Sequence, residues 1–369
     1  MTGDSAIPGL LASQADLDAT VASIEAVQVA SGMIPWFEGG HCDPWNHTES
    51  AMALAVGGRH SAAERGYEWL ESAQQESGAW FNYYWPDGSV EDARLDTNVC
   101  AYVATGIWHQ YLATGDSAFV VAMWPMLERA LSFVLDWQRP GGELVWSITD
   151  SGRPETYALL TGSSSVYLSL RCAVACAELV GAERPEWELA AGRLRHALVY
   201  RPESFAPKDR YAMDWYYPAL TGALEADPAS VRLDERWDEF VMDGRGVRCV
   251  SDQPWVTTAE TAECALALLG LGRREEAGRL LAWVEDQRDP DGSYTTGRVY
   301  PERSSFPHEE RSTYSAAAVV LAHDALSATS PTSGLFSKRG LPAGLDLDEP
   351  DEGVAASGAQ STSASVNPS

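Results

Sequence analysis

Long aromatic-rich loops and tight turns alternate strictly along the chain, and this alternation most constrains how it can fold. The long loops are 32–42, 77–95, 139–161, 201–213, 241–256 and 289–310. The tight turns between helical segments are Gly57-Gly58, Gly115-Asp116, Gly181-Ala182, Asp227-Pro228 and Gly272-Arg273. In a closed ring of helical hairpins, this order places every long loop on one face. We expect a functional site there, because loops carry chemistry while helices hold them in place.

Start and stop signals predict twelve helices in six hairpins. Ser13 is followed by Asp16 at the spacing of a capping box, and Asp43-Pro44 combines a carboxylate N-cap with proline at the first helical position. Left-handed glycines end several of the helices. The predicted spans are about 13–30, 44–56, 61–76, 97–114, 117–137, 163–180, 185–200, 214–225, 228–240, 257–271, 273–287 and 311–326.

Charge divides these helices into two classes. Odd-numbered helices have charged faces, as Glu64, Arg65 and Glu68 show on the third, whereas even-numbered helices are rich in small residues, such as Ala173 and Ala175 on the sixth. A helix that is apolar on nearly all sides is buried, and a half-charged one lies at the surface. We therefore predict an all-α (α/α)6 toroid with an inner even ring and an outer odd ring. An open superhelix of helical pairs is the alternative.

The composition changes near Ser327 and sets the predicted domain limits. Proline, glycine and carboxylates replace apolar side chains beyond that point, which leaves little burial to offset the entropy of ordering. The expected organisation is an N-terminal extension over 1–12, a toroid over 13–328 and a disordered acidic and serine-rich tail over 329–369. Hydrophobic residues make up 45% of the 369 residues, which is enough for a large core in the middle segment.

The chain is strongly acidic, with 26 basic and 53 acidic residues and a formal net charge of −27. Such a surface repels phosphate groups, so nucleic acid and anionic lipid are not expected as partners. Neither a signal peptide nor an apolar run of the roughly 18 residues needed to span a bilayer is recognisable. The six cysteines lack paired spacing, which predicts reduced thiols in a cytoplasmic protein with no metal site and no cofactor. The pattern leaves the oligomeric state open.

A second repeat, of the form Q-x-x-x-G-x-W, closes four outer helices. We expect its glutamine to satisfy free carbonyls at the helix end, its glycine to supply a left-handed turn, and its last residue to pack the loop back. The four copies, with substitutions in the last place or one added residue, are Gln28–Gly32–Ile34, Gln74–Gly78–Trp80, Gln138–Gly142–Leu144 and Gln287–Gly292–Tyr294.

These repeats resemble the QW motif of squalene-hopene cyclases and other class II terpenoid cyclases, whose toroid is shared by protein prenyltransferases and six-hairpin glycosidases. The stretch from Asp96-Thr97-Asn98 through the YLATGD turn to Gln138 is most similar to six-hairpin glycosidases. The chain to about Phe336 also resembles actinobacterial proteins labelled prenyltransferase. The resemblance implies the toroidal fold, but a fold does not determine a function.

The chemistry of each family separates these possibilities. Class II cyclases need an Asp-x-Asp-Asp acid, and the nearest string here, 346–349, lies in the tail and does not match. Prenyltransferases hold zinc, and although Cys249 and His308 fall in the long loops, no zinc-ligand spacing is visible. Six-hairpin glycosidases need paired carboxylates and aromatic platforms, which are abundant here.

We favour a carbohydrate-active, glycoside hydrolase-like enzyme acting on a small-molecule or oligosaccharide substrate. A toroid acting on or binding an isoprenoid, and a non-catalytic glycan- or protein-binding module, are the alternatives.

Polar and aromatic side chains collect at the N-terminal ends of the inner helices, while the C-terminal halves are apolar. Paired carboxylates supply acid and base catalysis in glycosidases, so the catalytic candidates are Glu49, Asp96, Asp214, Glu260 and Glu263. The substrate-binding candidates on the same face are Trp36, Trp45, His47, Asn98, Tyr167, Trp215, Tyr216, Trp255, Arg311 and Tyr314.

Structural roles compete with these assignments. Asp43, Asp96 and Asp214 occupy N-cap positions, and His47 fits a hydrogen-bonded core histidine. For the glutamates at 260 and 263, which we take as functional, the competing role is a buried ion pair with an arginine such as Arg248 or Arg311.

A ring of six places the fourth predicted helix opposite the tenth and the second opposite the eighth. Asp96 would then face Glu260 and Glu263, and Glu49 would face Asp214. Helix N-termini favour ionised carboxylates, which suits the aspartates to the base role, and the deeper glutamates suit the acid role. An inverting pair lies about 6.5–9.5 Å apart and a retaining pair about 5–5.5 Å apart, and the pattern leaves the stereochemistry open.

Overall fold

The computed structural model describes residues 11–347, which contain fourteen α-helices and three short 3-10 helices. In chain order the α-helices are α1 (Gln14–Val27), α2 (Pro44–Val56), α3 (His60–Ala73), α4 (Thr97–Ala101), α5 (Val103–Thr114), α6 (Ser117–Leu135), α7 (Leu160–Val180), α8 (Pro185–Tyr200), α9 (Ala212–Leu220), α10 (Ala226–Glu235), α11 (Trp237–Phe240), α12 (Thr258–Gly270), α13 (Arg274–Val284) and α14 (Thr313–Ser327). The 3-10 helices are Pro202–Ser204, Glu285–Gln287 and Thr332–Ser337. The six predicted hairpins are present. The fourth and ninth predicted helices are each split in two, at Tyr102 and Arg236.

Six helical segments form a closed inner ring in the order α2, α4–α5, α7, α9, α12 and α14, and α14 packs back against α2. The outer helices α1, α3, α6, α8, α10 and α13 pack on the outside of this ring. The all-α toroid is therefore confirmed, and closure through α14 and α2 excludes the open superhelix. In this ring α4 lies opposite α12, and α2 lies opposite α9.

The predicted caps form as hydrogen bonds. At the start of α1, the Ser13 backbone N–H donates to the Asp16 carboxylate at 2.9 Å, and the Asp16 N–H donates to the Ser13 hydroxyl at 3.3 Å. At the start of α2, Asp43 accepts the backbone N–H groups of Trp45 and Asn46 at 2.9 and 3.0 Å. Each bond satisfies a backbone donor that the helix itself leaves free.

Short strands order the long loops, a feature that the helix-based prediction did not include. The strands are β1 (Tyr83–Tyr84), β2 (Val90–Asp92), β3 (Leu95–Asp96), β4 (Ser147–Ile148), β5 (Val241–Met242), β6 (Gly246–Val247), β7 (Trp255–Thr257), β8 (Thr295–Val299) and β9 (Ser304–Arg311). They form three antiparallel pairs, β1–β2, β3–β4 and β5–β6, and one antiparallel sheet β7–β8–β9. These pairings hold the loop face in a defined shape.

The glutamine repeat joins neighbouring outer helices rather than capping its own helix. The Gln74 side-chain amide donates to the carbonyls of Gly78 and of Met126 on α6, both at 2.9 Å. Gln28 does the same with Gly32 and Ala62 on α3, and Gln138 with Gly142 and Ala190 on α8. The predicted role of the glutamine is thus corrected: one amide links three segments of chain.

The fourth copy of the repeat differs from the others in the contacts of its glutamine but not in those of its glycine. Gln287 accepts the Thr258 hydroxyl at 3.1 Å inside the core. Gly292 has φ +90°, and a Cβ there would lie 2.5 Å from the carbonyl carbon of Ala19 on α1. Only glycine permits this close approach, so the last repeat packs directly against the first outer helix.

Packing at the base of the toroid, opposite the loop face, extends beyond the predicted boundary at 328. The 3-10 helix Thr332–Ser337 buries Leu335 completely and Phe336 to 7% exposure. The Lys338 ammonium donates to the Ala219 carbonyl at the end of α9 at 3.4 Å. A few apolar residues therefore anchor part of the segment assigned to the tail. Residues 1–10 and 348–369, which include most of the two predicted terminal segments, lie outside the described residues.

Among residues 11–347, two helices, α6 and α7, are long and apolar enough by length and composition to cross a membrane, contrary to the expectation from the sequence. Both belong to the double ring, and 78% of the apolar window in α7 is buried inside it. Core packing accounts for the composition of α7.

Candidate active site

Four carboxylates lie at the N-terminal ends of inner helices and surround the mouth of the toroid on the loop face. Asp43 and Asp96 cap α2 and α4, while Asp214 and Glu260 lie in the first turns of α9 and α12. Because α4 faces α12 and α2 faces α9, the four groups form two opposed pairs. The structure thus places Asp96 across the ring from Glu260, as the pattern predicted.

Asp96 keeps one carboxylate oxygen free of helix capping. Its Oδ1 accepts the backbone N–H groups of Asn98 and Val99 at 2.8 and 3.2 Å. Burial raises the pKa of this carboxyl to about 6, and hydrogen bonds from those two amides and from the Trp146 side chain oppose the rise. Asp96 therefore changes charge close to neutral pH while one oxygen remains available to the mouth.

Asp43 is held more tightly than a cap requires. Its Oδ1 accepts two backbone amides, and its Oδ2 accepts the Trp36 indole N–H and the Asn46 side-chain amide, both at 2.6 Å. Burial raises its pKa, and these four donors oppose the rise. Four donors occupy the acceptor sites of a carboxylate, so Asp43 has little capacity left to activate a water molecule.

Glu260 is the carboxylate with the fewest partners at the mouth. Its side chain is partly exposed, and burial raises its pKa. The competing ion pairs do not form. Arg248 donates to the Glu239 carbonyl at 2.9 Å, and Arg311 pairs with Asp289. Glu260 is thus a carboxyl whose pKa is raised by burial, at a site that solvent can reach.

Asp214 is bound by the neighbouring helix α7. The Thr161 hydroxyl and backbone N–H both donate to its Oδ1, the latter at 3.3 Å. Burial raises its pKa, and the Thr161 hydroxyl opposes the rise. Arg232 does not pair with the carboxylate but donates to the Asp214 backbone carbonyl at 2.8 Å.

The two remaining catalytic candidates, Glu49 and Glu263, lie below the mouth. The Tyr216 and Tyr217 hydroxyls donate to the Glu263 carboxylate, the latter at 2.8 Å. Both glutamates line an internal cavity of about 10 Å³, close to the space of one water molecule. Burial raises the pKa of Glu263 to about 8 and raises that of Glu49, on which the charge of Glu263 also acts. Glu49 is therefore grouped with Glu263, not with Asp214.

Aromatic side chains connect the carboxylates at the mouth. The Trp36 ring lies 4.8 Å from that of Tyr314 and 5.9 Å from that of Tyr83. Burial is the main cause that raises the pKa of the Tyr314 hydroxyl. The negative charge of Glu260 is the next largest cause, and the charge of Asp43 raises this pKa further. Tyr314 therefore lies between the α12 and α2 sides of the mouth.

Several predicted binding residues lie in the core and not at the mouth. Trp45 stacks on Tyr102 at 4.4 Å, and Trp215 stacks on Phe240 at 4.9 Å. The others are buried or turned outward. Tyr167 is buried and Tyr216 is bound to Glu263, whereas Arg311 is exposed on β9.

His47 bridges two backbone groups within the core. It accepts the Ile34 N–H at 3.0 Å and contacts the Gly66 carbonyl at 2.9 Å, and burial lowers its pKa to about 4. The hydrogen-bonded core histidine is the arrangement observed. Asn98, by contrast, is partly exposed beside Asp96, and its Oδ1 has no hydrogen-bond partner among residues 11–347.

The predicted residue set omitted three aromatic residues at the mouth, which are Tyr83, Trp146 and Tyr157. Tyr83 lies near both Asp43 and Asp96. Burial raises the pKa of the Tyr83 hydroxyl, and the charges of these two carboxylates raise it further. Trp146 stacks on Tyr157 with ring centroids 5.5 Å apart beside Asp96. The only sequence signal was their place in the long loops, because β1 and the β3–β4 pair, which return these segments to the mouth, have no periodicity to reveal them. Within residues 11–347, no group of three His, Cys, Asp or Glu side chains could hold a metal ion.

No family model matches the chain. A curated relative, the MMP endo-(1,4)-3-O-methyl-alpha-D-mannosidase of Mycolicibacterium hassiacum, is 48% identical over 340 residues, which cover 92% of this chain and 94% of the relative. Among solved structures, a wild-type glycosidase matches with a TM-score of 0.70 at 16% identity, covering 85% of this chain and 97% of the other. A D-mannose isomerase matches with a TM-score of 0.61 at 12% identity, covering 84% and 97%.

The solved structures share the fold at low identity, whereas the curated relative matches nearly the whole chain at high identity. The resemblance to prenyltransferases and terpenoid cyclases gains no support, because the relative is a mannosidase and the structural neighbours include glycosidases. Glycoside hydrolysis requires a pair of carboxyl groups, and four carboxylates surround the mouth. The chain belongs to the family of the endo-(1,4)-3-O-methyl-α-D-mannosidase and is a glycoside hydrolase-like enzyme.

Proposed function

We propose that this protein is an endo-acting mannosidase that hydrolyses chains of (1,4)-linked 3-O-methyl-α-D-mannose. The substrate follows from the relative that is 48% identical over 92% of this chain. The observation that carries the mechanism is the placement of two partly exposed carboxyls, Asp96 and Glu260, on opposed inner helices. The acidic surface also favours a neutral glycan over an anionic one.

Asp96 is the general base and Glu260 the general acid in this proposal. Above its pKa of about 6, Asp96 is ionised at a helix N-terminus, and its second oxygen can accept a proton from water. Glu260, whose pKa is raised by burial, keeps the proton that the departing sugar needs. Water attacks the anomeric carbon, the glycosidic C–O bond breaks, Asp96 takes the water proton, and Glu260 protonates the leaving oxygen.

The opposed positions favour inversion of configuration. Residues on facing helices have the widest spacing that the mouth offers, and an inverting pair needs about 6.5–9.5 Å to accommodate the attacking water. A retaining pair, at about 5–5.5 Å, would be expected on adjacent helices. Trp36 and Tyr314 lie between the Asp96 side and the Glu260 side of the mouth. They would then pack against the sugar whose glycosidic bond is cleaved.

The test compares isosteric variants on a 3-O-methyl-mannose oligosaccharide. Asp96→Asn and Glu260→Gln should each lower kcat about 100- to 10,000-fold with the fold retained by circular dichroism. Asp214→Asn is the matched control and should retain most of the turnover, since it serves α7 packing. Loss of turnover in Asp43→Asn with full activity in Asp96→Asn would move the base to Asp43. A wild-type enzyme that cleaves other mannosides but not this one would refute the substrate.

A further inference from the structure

A stacked aromatic pair stands on the loop face at the start of α12. Trp255 on β7 and Phe306 on β9 have ring centroids 4.7 Å apart and planes inclined by only 19°. Both side chains are partly exposed. Because β7 leads directly into α12, Trp255 lies five residues before Glu260 and on the same side of the mouth.

The three-stranded sheet is built so that these two rings can meet. Trp255 pairs with Val299 and Phe306 with Gly297 on the central strand, so the rings share one face of the sheet along a diagonal. Gly297 has no side chain between them, and a Cβ there would lie 2.8 Å from the Val256 carbonyl oxygen. The sheet therefore holds the two rings as one fixed surface, which we call the Trp255–Phe306 platform.

Glycosidase chemistry assigns this side of the mouth to the departing sugar. The general acid must reach the glycosidic oxygen, and the other substituent of that oxygen is the sugar on the leaving-group side. A sugar bound there lies beside Glu260, whereas the base and the Trp146–Tyr157 stack lie across the ring. The apolar face of a pyranose, extended by a methyl ether, packs well on a rigid aromatic surface.

We propose that the Trp255–Phe306 platform is the binding site for the sugar residue on the leaving-group side of the cleaved bond. The proposal rests on the proposed function, because it takes Glu260 as the acid. It gives the substrate chain a direction: the part that departs after cleavage lies over the β7–β8–β9 sheet.

The test uses two substrates with the same glycone and different leaving groups. One is a (1,4)-linked 3-O-methyl-α-mannose oligosaccharide, and the other is the matching α-glycosyl fluoride, which has no leaving-group sugar. Trp255→Ala should lower kcat/KM on the oligosaccharide about tenfold to a hundredfold and leave the fluoride within about twofold. Trp255→Phe should restore most of the loss. Tyr200→Ala, which removes an exposed ring from outer helix α8, should change neither.

Product inhibition gives a second readout that does not depend on turnover of a long chain. The oligosaccharide released from the leaving-group side should inhibit fluoride hydrolysis by the wild type and inhibit Trp255→Ala about tenfold more weakly. Equal losses on both substrates, or unchanged inhibition, would overturn the platform assignment while the hydrolase function stood. Failure of the proposed function is distinct, because the wild type would then hydrolyse neither substrate.

Discussion

Replacing the buried Glu263 by glutamine should make the protein less sensitive to rising pH. The Glu263 carboxyl has a pKa of about 8 in the folded protein, against a reference value of 4.5. Between these values the folded state holds a proton that the unfolded state has lost, so the free energy of unfolding falls as pH rises. Glutamine is neutral at every pH and removes this loss.

The size of the effect follows from the same shift. One pKa unit corresponds to about 1.4 kcal/mol, so burying Glu263 costs about 3 kcal/mol at pH 7 and approaches about 5 kcal/mol above pH 8. Against this, glutamine presents an amide nitrogen to one of the two tyrosine hydroxyls that now donate to the carboxylate. That mismatch costs about 1 kcal/mol and does not vary with pH. The variant should therefore match or fall below the wild type at pH 5 and exceed it at pH 8.

Urea-induced unfolding at pH 5, 6, 7 and 8, followed by tryptophan fluorescence, measures the difference directly. The free energy of unfolding of Glu263→Gln minus that of the wild type should rise by about 1 kcal/mol per pH unit. Glu68→Gln, on the exposed face of α3, is the control and should show no such trend. A difference that stays constant across these four pH values would show that Glu263 does not hold a proton in the folded state, and the reasoning would fail.

Three further outcomes are expected. The kcat/KM of the wild type should fall about tenfold per pH unit below about pH 6, where Asp96 gains a proton and can no longer act as base; a profile still flat at pH 4 contradicts this role. Gln74→Ala, which removes the hydrogen bonds from the side-chain amide to the Gly78 loop carbonyl and to the Met126 carbonyl on α6, should lower the free energy of unfolding by about 1–3 kcal/mol in urea titrations and leave kcat unchanged. Phe336→Ala should cost about 3–5 kcal/mol by the same measurement because it empties the packed base, whereas a loss below about 1 kcal/mol would indicate that the base is not part of the core.

The architecture could be predicted because it depends on patterns that are local in the sequence. Helix caps such as Asp43-Pro44 and the contrast between charged and small-residue helices are readable in windows of a few turns. Ring closure followed from counting six hairpins. The base of the toroid was missed because a single 3-10 turn with Leu335 and Phe336 has too few apolar residues to be distinguished from a solvated tail.

The site was predictable at the level of helix ends but not of side-chain partners. Asp96, Asp214 and Glu260 could be placed on the loop face because each lies at the start of an inner helix. Tyr83 and Trp146 were not included, since short strands of two or three residues bring them to the mouth. The burial of Trp215 depends on its stacking against Phe240 in the outer segment that follows, which lies beyond a window of a few turns. Glu263 lies deeper in the toroid than Glu260, and this difference in depth also depends on the assembled ring.

The closed base restricts how a long glycan can use this protein. Phe336 lies beneath the inner ring and shares the small cavity that contains Glu49 and Glu263, so the barrel ends in packed side chains and not in a passage. A polymer therefore cannot pass through the centre of the toroid. A glycan of the proposed kind would therefore enter by the opening on the loop face, and both products would leave by that same opening.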